Sequence, residues 1–210
     1  MTRRAPPAPS PALRGATAPI SPRAVALALA LCAATVAASQ PAGAECPPAT
    51  PDTAEESRLI DALRRAPDAA AARKFNAALW ALWTDAPDTK AQGLLDRGMA
   101  RLRLGDLATA VTAFDELVAY CPDYAEGYNQ RAFAHYLAGD YAAALADLDA
   151  ALARSPRHVG ALSGKALSLM GLGQDRKALA ALEAALALNP HLSERALLPV
   201  LKERLGAKDL

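Results

Sequence analysis

The sequence predicts an all-α fold built from three copies of one helical hairpin. Hydrophobic residues make up 52% of the chain and aromatic residues only 5%. Because alanine and leucine supply most of the apolar side chains, closely packed helices are favoured over a β-sandwich. A period of 34 residues indicates stacked repeats. Four columns share it: Gly105, Gly139 and Gly173; Ala110, Ala144 and Ala178; Phe114, Leu148 and Leu182; Pro122, Pro156 and Pro190.

Each column has a role in the hairpin. The glycines follow the first helix, where a tight turn needs a residue that tolerates positive φ. Aspartates come next and are expected to cap the second helix, whose apolar residues recur at i, i+1, i+4, i+7 and i+8 and therefore form one face. The prolines end that helix and start the next unit. These aspartates are Asp106, Asp140 and, one place later, Asp175.

The first helix of each unit carries a small residue at its midpoint, where we expect helix to approach helix: Gly98, Ala132 or Ala166. Its start is marked by residue pairs with capping-box spacing. These are Thr89 with Gln92, and Asp123 with Glu126. Six helices are therefore predicted between residues 91 and 190.

Both flanks of the repeats are also predicted to be helical. Thr53 and Glu56 have capping-box spacing, and residues 53–87 read as a degenerate hairpin in which Trp80 and Trp83 pack against the first repeat. At the other end we expect a helix from Leu192 to Leu205, interrupted by Pro199 and stopped by Gly206. Stacked repeats need such polar-faced caps.

The 34-residue unit resembles the tetratricopeptide (TPR) repeat family. The residues that match its pattern best are Tyr128, Ala132, Gly139-Asp140-Tyr141, Ala144, Leu148, Ala151 and Pro156. Leu94 and Leu162 replace the large aromatic residue expected early in the first helix, so the outer copies are less typical. The resemblance implies a TPR helical-hairpin solenoid, a right-handed superhelix with a degenerate N-terminal hairpin and a C-terminal capping helix. The predicted divisions of the chain are residues 1–44 (signal peptide), 45–90 (tail and degenerate hairpin), 91–124, 125–158 and 159–192 (three TPR units), and 193–210 (capping helix).

The resemblance also implies a concave wall formed by the first helices, suited to an amphipathic helix or an apolar peptide. The alternative is that the chain's own N-terminal hairpin or C-terminal helix partly fills this groove. The binding residues expected from family geometry are Met99, Arg103, Asn129, Phe133, Tyr136, Leu167 and Met170, with Gln92, Leu95, Leu102, Glu126, Leu137 and Ser163 on the same wall. The carboxylate clamp of TPR co-chaperones cannot form, because its positions correspond to Leu95, Met99, Gln130, Gly160 and Gly164.

No motif in the sequence indicates catalysis, so we expect neither an enzyme nor a bound cofactor. His135, His158 and His191 lack a Cys, Asp or Glu at metal-ligand spacing, and we interpret them as structural or solvated. There is no glycine-rich phosphate loop and no serine in a nucleophile elbow.

The first 44 residues are typical of an export signal. They contain four arginines and no acidic residue, followed by an apolar stretch from Ala24 to Ala38 and by Ala42-Gly43-Ala44. We expect cleavage after Ala44, which leaves no stable membrane span. The alternative is an uncleaved membrane anchor, and a mitochondrial transit peptide is a weaker rival. Residues 45–210 carry 19 basic and 22 acidic residues, a balance that gives no electrostatic reason to bind nucleic acid.

Cleavage would leave two cysteines, Cys46 and Cys121, in a compartment where disulfides persist. A bridge between them is a hypothesis, and two free thiols are the alternative.

The functional prediction is a periplasmic or secreted scaffold or adaptor that binds a peptide or helix of a cell-envelope protein. A holdase-like periplasmic chaperone for apolar segments in transit is the alternative. An envelope enzyme or enzyme accessory is the third hypothesis.

Overall fold

The computed structural model describes residues 45–48 and 53–208, and all structural statements refer to these. The signal peptide predicted over residues 1–44 lies outside them. No strand occurs in the described part, and the all-α prediction is confirmed. The helices are α1 (Ala54–Arg64), α2 (Ala69–Trp83), α3 (Thr89–Arg103), α4 (Leu107–Tyr120), α5 (Ala125–Leu137), α6 (Tyr141–Arg154), α7 (Val159–Gly171), α8 (Asp175–Leu188) and α9 (Leu198–Lys208), with a 3-10 turn at Ser193–Leu197.

Six of these helices form the three predicted hairpins, α3–α4, α5–α6 and α7–α8. The glycine between the two helices of each hairpin has positive φ: 72° at Gly105, 79° at Gly139 and 68° at Gly173. In the second hairpin the N–H of Gly139 donates to the carbonyl oxygen of Tyr136, and the N–H of Asp140 donates to that of His135. The glycine therefore ends the first helix as predicted.

Two of the three predicted aspartate caps are confirmed. The carboxylates of Asp106 and Asp140 accept hydrogen bonds from the N–H groups of Thr109 and Ala143 at 3.2 and 3.0 Å. The third is wrong, because Gln174 stands at the position of Asp106 and Asp140 and takes the cap position, which makes Asp175 the first residue of α8.

The capping boxes predicted for the first helices are wrong. Asp88 caps α3 instead of Thr89, because its carboxylate accepts a hydrogen bond from the N–H of Ala91 at 2.8 Å. That bond, with a second from the hydroxyl of Tyr120, lowers the pKa of Asp88. Helix α5 has Tyr124 at its cap without a side-chain bond.

At the start of α1 the hydroxyl of Thr53 accepts a hydrogen bond from the N–H of Glu56 at 3.1 Å, so Thr53 is confirmed as the cap.

Side-chain size is matched between the two helices of a hairpin. A Cβ on Gly98 would overlap the ring of Phe114, which is fully buried. In the other two hairpins the residue at the position of Phe114 is leucine, and an alanine replaces the glycine. Small residues at the helix midpoints therefore permit the close approach that was predicted.

Ion pairs join consecutive hairpins at equivalent positions. The guanidinium group of Arg131 on α5 binds Asp115 on α4 at 2.7 Å, and the ammonium group of Lys165 on α7 binds Asp149 on α6 at 2.6 Å. Arg131 also binds Asp147 at 2.6 Å, and the hydrogen bonds with this carboxylate are the main reason that the pKa of Arg131 is raised. Each pair that links two hairpins spans 16 residues of sequence.

The amino-terminal hairpin, α1–α2, lies across the turns that follow the three hairpins. We define these turns as residues 121–124, 155–158 and 189–192. Helix α1 contacts α8, and one apolar cluster unites residues of the hairpin with residues at the second and third turns. Its members include Ile60, Leu63, Leu79, Val159, Leu188 and Leu192.

The interpretation that Trp80 and Trp83 pack this hairpin against the first repeat is therefore wrong. Trp80 is 45% exposed, whereas Trp83 contacts His158 at the second turn. The register of the repeats is already lost before α3, and the hairpin folds back along the edge of the stack instead of extending it.

The C-terminal cap differs from the prediction at Pro199 and at Gly206. Pro199 is the second residue of α9 and does not interrupt it, because the first helical turn tolerates a residue without a free N–H. Gly206 does not stop α9, which continues to Lys208. The cap is held to α8 by Leu201, which is fully buried, and by an ion pair between Arg204 and Asp175.

A disulfide joins Cys46 to Cys121, with the two Cα atoms 5.1 Å apart, so the hypothesis of a bridge is confirmed. Cys121 is the C-cap residue of α4 and is buried in the core of the first hairpin. Cys46 packs against the same core.

We expect Gly98→Ala to lower the free energy of unfolding by about 1–3 kcal/mol, because the added methyl group overpacks the contact with Phe114. Gly93→Ala in the same helix is the matched control, since a Cβ there meets nothing within 4 Å. That variant should be neutral or up to about 1 kcal/mol more stable. Urea unfolding followed by circular dichroism measures both, and equal effects of the two variants would contradict the size matching.

Reduction of the disulfide should lower the unfolding temperature. The bridge spans 75 residues, and the chain-entropy model assigns a loop of that length about 4.5 kcal/mol. At this chain size that corresponds to roughly 10 °C. Thermal unfolding is compared with and without reductant. The double variant Cys46→Ser, Cys121→Ser should unfold at the temperature of the reduced protein, with or without reductant. If reductant lowers the unfolding temperature of this variant as well, the effect has a different cause.

Candidate functional site

The first helices of the hairpins lie on the inner side of the stack. Helix α5 contacts both α3 and α7, while α6 has no comparable contact with α4 or α8. A stack of hairpins curves toward the side on which neighbouring helices are closer. Helices α3, α5 and α7 therefore form the concave wall, and we call the surface along them the groove.

Equivalent residues of the three hairpins form two apolar rows along the groove. Met99, Phe133 and Leu167 occupy one position, and Leu102, Tyr136 and Met170 occupy another. Five of these side chains are half-buried, but Phe133 is 49% exposed. Leu137 follows it by one helical turn and is 48% exposed, so the two share a face of α5. Large apolar side chains therefore face solvent at the centre of the groove.

The other predicted groove residues form its floor and its end. Met99 packs against the core of the first hairpin and Met170 against that of the third. The ring of Tyr136 lies 5.6 Å from that of Tyr141, measured between centroids. Arg103 is exposed and is the last residue of α3. Asn129 is half-buried because its amide donates to the carboxylate of Glu126 at 3.1 Å.

Three residues predicted on the same wall are buried. Leu95 belongs to the core of the first hairpin and is fully buried. Ser163 is 6% exposed and Glu126 is 1% exposed. These side chains cannot be reached from the groove, so their placement there is wrong.

Glu126 is buried because it belongs to a polar network at the starts of α5 and α7. Its carboxylate is 2.8 Å from Nε2 of His158, and it accepts a hydrogen bond from the amide of Gln130. Nδ1 of His158 accepts a hydrogen bond from the N–H of Ala161, which caps α7. Because Nδ1 is an acceptor, the proton lies on Nε2 and is donated to Glu126. His158 is therefore structural, as interpreted from the sequence.

The amino-terminal hairpin covers this network. The rings of Trp83 and His158 stack with their centroids 3.9 Å apart. The indole N–H of Trp83 donates to the carboxylate of Glu56 at 2.9 Å, and its backbone carbonyl accepts from the hydroxyl of Tyr124 at 2.6 Å. Burial raises the pKa of Tyr124, and the nearby charge of Glu126 adds to that effect. The amino-terminal hairpin thus covers the starts of α5 and α7.

A cleft of about 320 Å³ lies between the amino-terminal hairpin and the first two turns. Trp83, His158 and the carboxylates of Glu56 and Glu126 line it. Trp83 bonds to Glu56 on the hairpin side and His158 bonds to Glu126 on the repeat side, and the stack of the Trp83 and His158 rings joins the two sides.

Sequence reasoning missed the link between His158 and Glu126, which are 32 residues apart. Each lies near the start of the first helix of its repeat, and the two repeats are consecutive. This similar position was the feature of the sequence that could have predicted a contact between the two side chains. The stack between Trp83 and His158 had no such signal, because it depends on where the amino-terminal hairpin docks.

No group of His, Cys, Asp and Glu suited to a metal ion occurs among the described residues. Within the same residues, no helix has the length and apolar character needed to cross a membrane.

Sequence and structure comparisons agree on the repeat family. Two sequence models of the tetratricopeptide repeat match this chain, over residues 92–124 and 135–198. No curated protein matches it in sequence.

Solved structures similar to this chain are TPR domains. The first TPR domain of Spaghetti (RPAP3), bound to the HSP90 peptide SRMEEVD, is 21% identical, with a TM-score of 0.55 over 57% of this chain and 96% of that one. The TPR2B domain of yeast Sti1, in complex with an Hsp70 peptide, is 25% identical, with a TM-score of 0.52 over 58% and 99%. The MamA protein is 20% identical, with a TM-score of 0.52 over 74% and 85%.

The hairpins in their 34-residue register, the family matches and the similar folds lead to one conclusion. The chain contains tetratricopeptide repeats over residues 92–124 and 135–198.

Proposed function

We propose that this protein is an exported interaction scaffold that binds an apolar peptide or helix of a cell-envelope protein in its groove. The observation that carries the proposal is the exposure of Phe133 and Leu137 on one face of α5. Large apolar side chains that face solvent favour binding, because a partner that covers them removes their surface from water. The residues around them are apolar or half-buried, which suits an apolar ligand.

The similar structures support binding in general, and the residues of this chain argue for a different ligand. The domains of Spaghetti and Sti1 are bound to heat-shock-protein peptides in the structures similar to this chain. In this chain two of the positions that correspond to a carboxylate clamp are the buried Leu95 and Gln130. An acidic C-terminus therefore finds no cationic grip there, and the groove favours apolar side chains.

Export is proposed from two features of the chain. The apolar stretch Ala24–Ala38 and Ala42-Gly43-Ala44 are typical of a cleaved signal peptide. The disulfide between Cys46 and Cys121 would persist in an oxidising compartment such as the periplasm. The proposed role is that of a binding protein.

The double variant Phe133→Ala, Tyr136→Ala should weaken partner binding by about 2 kcal/mol or more, roughly 30-fold in Kd, because it removes two apolar anchors. A photo-crosslinking amino acid at Leu137 in the native host first identifies the partner. The purified pair is then titrated by isothermal calorimetry, and circular dichroism checks that the variant keeps its helical content.

Leu104→Ala is the matched control. Leu104 is 75% exposed and follows α3, outside the two apolar rows. This variant should bind the partner as tightly as the unmodified protein. Unchanged affinity of a folded double variant would remove the support for the groove.

A holdase-like chaperone remains the second candidate, and a specific observation favours it. Apolar side chains are exposed outside the groove as well, including Trp80 at 45% and Leu172 at 37%. A chaperone would crosslink to many unrelated proteins through Leu137, whereas a scaffold would crosslink to one partner in a fixed ratio.

A further inference from the structure

The amino-terminal hairpin contacts the turns that follow all three hairpins. We call α1 and α2, with the turn between them, the clasp (residues 53–83). At the first turn the backbone carbonyl of Trp83 accepts the hydroxyl of Tyr124. At the third turn Nε2 of His191 donates to the backbone carbonyl of Ala66, 3.0 Å away. The clasp therefore spans the length of the repeat stack.

The contacts at the second turn are both polar and apolar. Glu56 accepts a hydrogen bond from the hydroxyl of Ser155 at 3.4 Å, and the guanidinium group of Arg157 donates to the hydroxyl of Ser57 at 2.8 Å. Trp83 stacks on His158 beside them, and Val159 belongs to the apolar cluster of the clasp. The polar bonds each contribute little net stability, so the clasp is held by this cluster and by the links that keep it close to its docking surface.

Two covalent links keep it close. The chain leaves α2 at Trp83 and enters α3 at Thr89, which tethers one end of the clasp to the first hairpin. The disulfide tethers the other end, because Cys46 precedes α1 and Cys121 lies in the first turn. Both ends are thus held beside the first hairpin. Breaking one link lowers the effective concentration of the clasp at the second and third turns.

The clasp is connected to the groove through side chains. Trp83 stacks on His158, His158 donates to Glu126, and Glu126 accepts a hydrogen bond from the amide of Asn129. These contacts form one continuous chain from Trp83 of the clasp to Asn129 on the groove.

We propose that the amino-terminal hairpin is a redox-controlled clasp. With the Cys46–Cys121 disulfide formed, it locks the three hairpins at one mutual orientation. With the disulfide reduced, it leaves the second and third turns while the hairpins stay folded. This inference does not depend on what the groove binds.

The chemistry of opening is thiol–disulfide exchange with a dithiol. A thiolate of the dithiol attacks the sulfur of Cys46, because Cys46 is half-buried whereas Cys121 is 1% exposed. The S–S bond breaks, and the Cys121 sulfur leaves as a thiolate that takes up a proton. The second thiol of the reagent then displaces Cys46 as a thiol, and the reagent is oxidised to its own disulfide.

The chain contains two tryptophans, so the full-length variant Trp80→Phe makes Trp83 the only fluorescent indole. Reduction with a dithiol should shift its emission to longer wavelength, because the indole leaves His158 and Glu56 for water. Hydrogen exchange at His158, Ala161 and Leu192 should accelerate at least tenfold, while the circular dichroism of the helices is retained.

Two results would overturn the proposal. One is unchanged emission and exchange after a thiol assay has shown that Cys46 and Cys121 are free. The other is loss of the helical signal on reduction at 25 °C, because the disulfide would then hold the whole fold.

A second pair of variants tests the clasp with the disulfide intact. Trp83→Ala should accelerate exchange at the same three amides at least tenfold, whereas Trp80→Ala should leave them unchanged because that side chain is exposed. Full protection of these amides in a folded Trp83→Ala variant would show that the turns do not need the clasp.

Discussion

Each hairpin of this protein has an apolar seam that the next element of the stack covers. The second helices present buried residues that face the next hairpin, Leu117 and Val118 against Gly127 and Leu148 against Gly164, and one hairpin alone would leave part of this surface in water. Stacking is therefore required for stability, and it brings the first helices together on the inner side. The groove is a consequence of how the apolar seams are buried.

Most of the fold could be predicted because it depends on local, repeated signals. The glycines with positive φ, the prolines after the second helices and the small residues at helix midpoints act within about one hairpin, so their spacing was sufficient. Two of the errors occurred where one residue departs from the expected pattern. Gln174 stands where the other hairpins have Asp106 and Asp140, and Pro199 falls within the first turn of α9, where it is tolerated.

The groove could be predicted only in part, because burial there depends on non-local contacts. Phe133 and Leu137 are exposed on the predicted wall, and the period of the repeat was enough to place them. Glu126 belongs to the same wall by position but is buried, since His158 of the next repeat and Trp83 of the amino-terminal hairpin close over it. The docking of that hairpin has no counterpart in the repeat pattern.

The ion pairs between hairpins have a consequence for the length of the array. Asp115 and Asp149 each bind a cation 16 residues later, Arg131 and Lys165. Glu183 continues the acidic column, but the residue 16 places after it is Pro199, which carries no charge. The electrostatic register therefore terminates at the third hairpin. Tandem copies of the middle unit, residues 125–158, would carry both halves of this pairing, which makes that unit the natural module for building a longer superhelix.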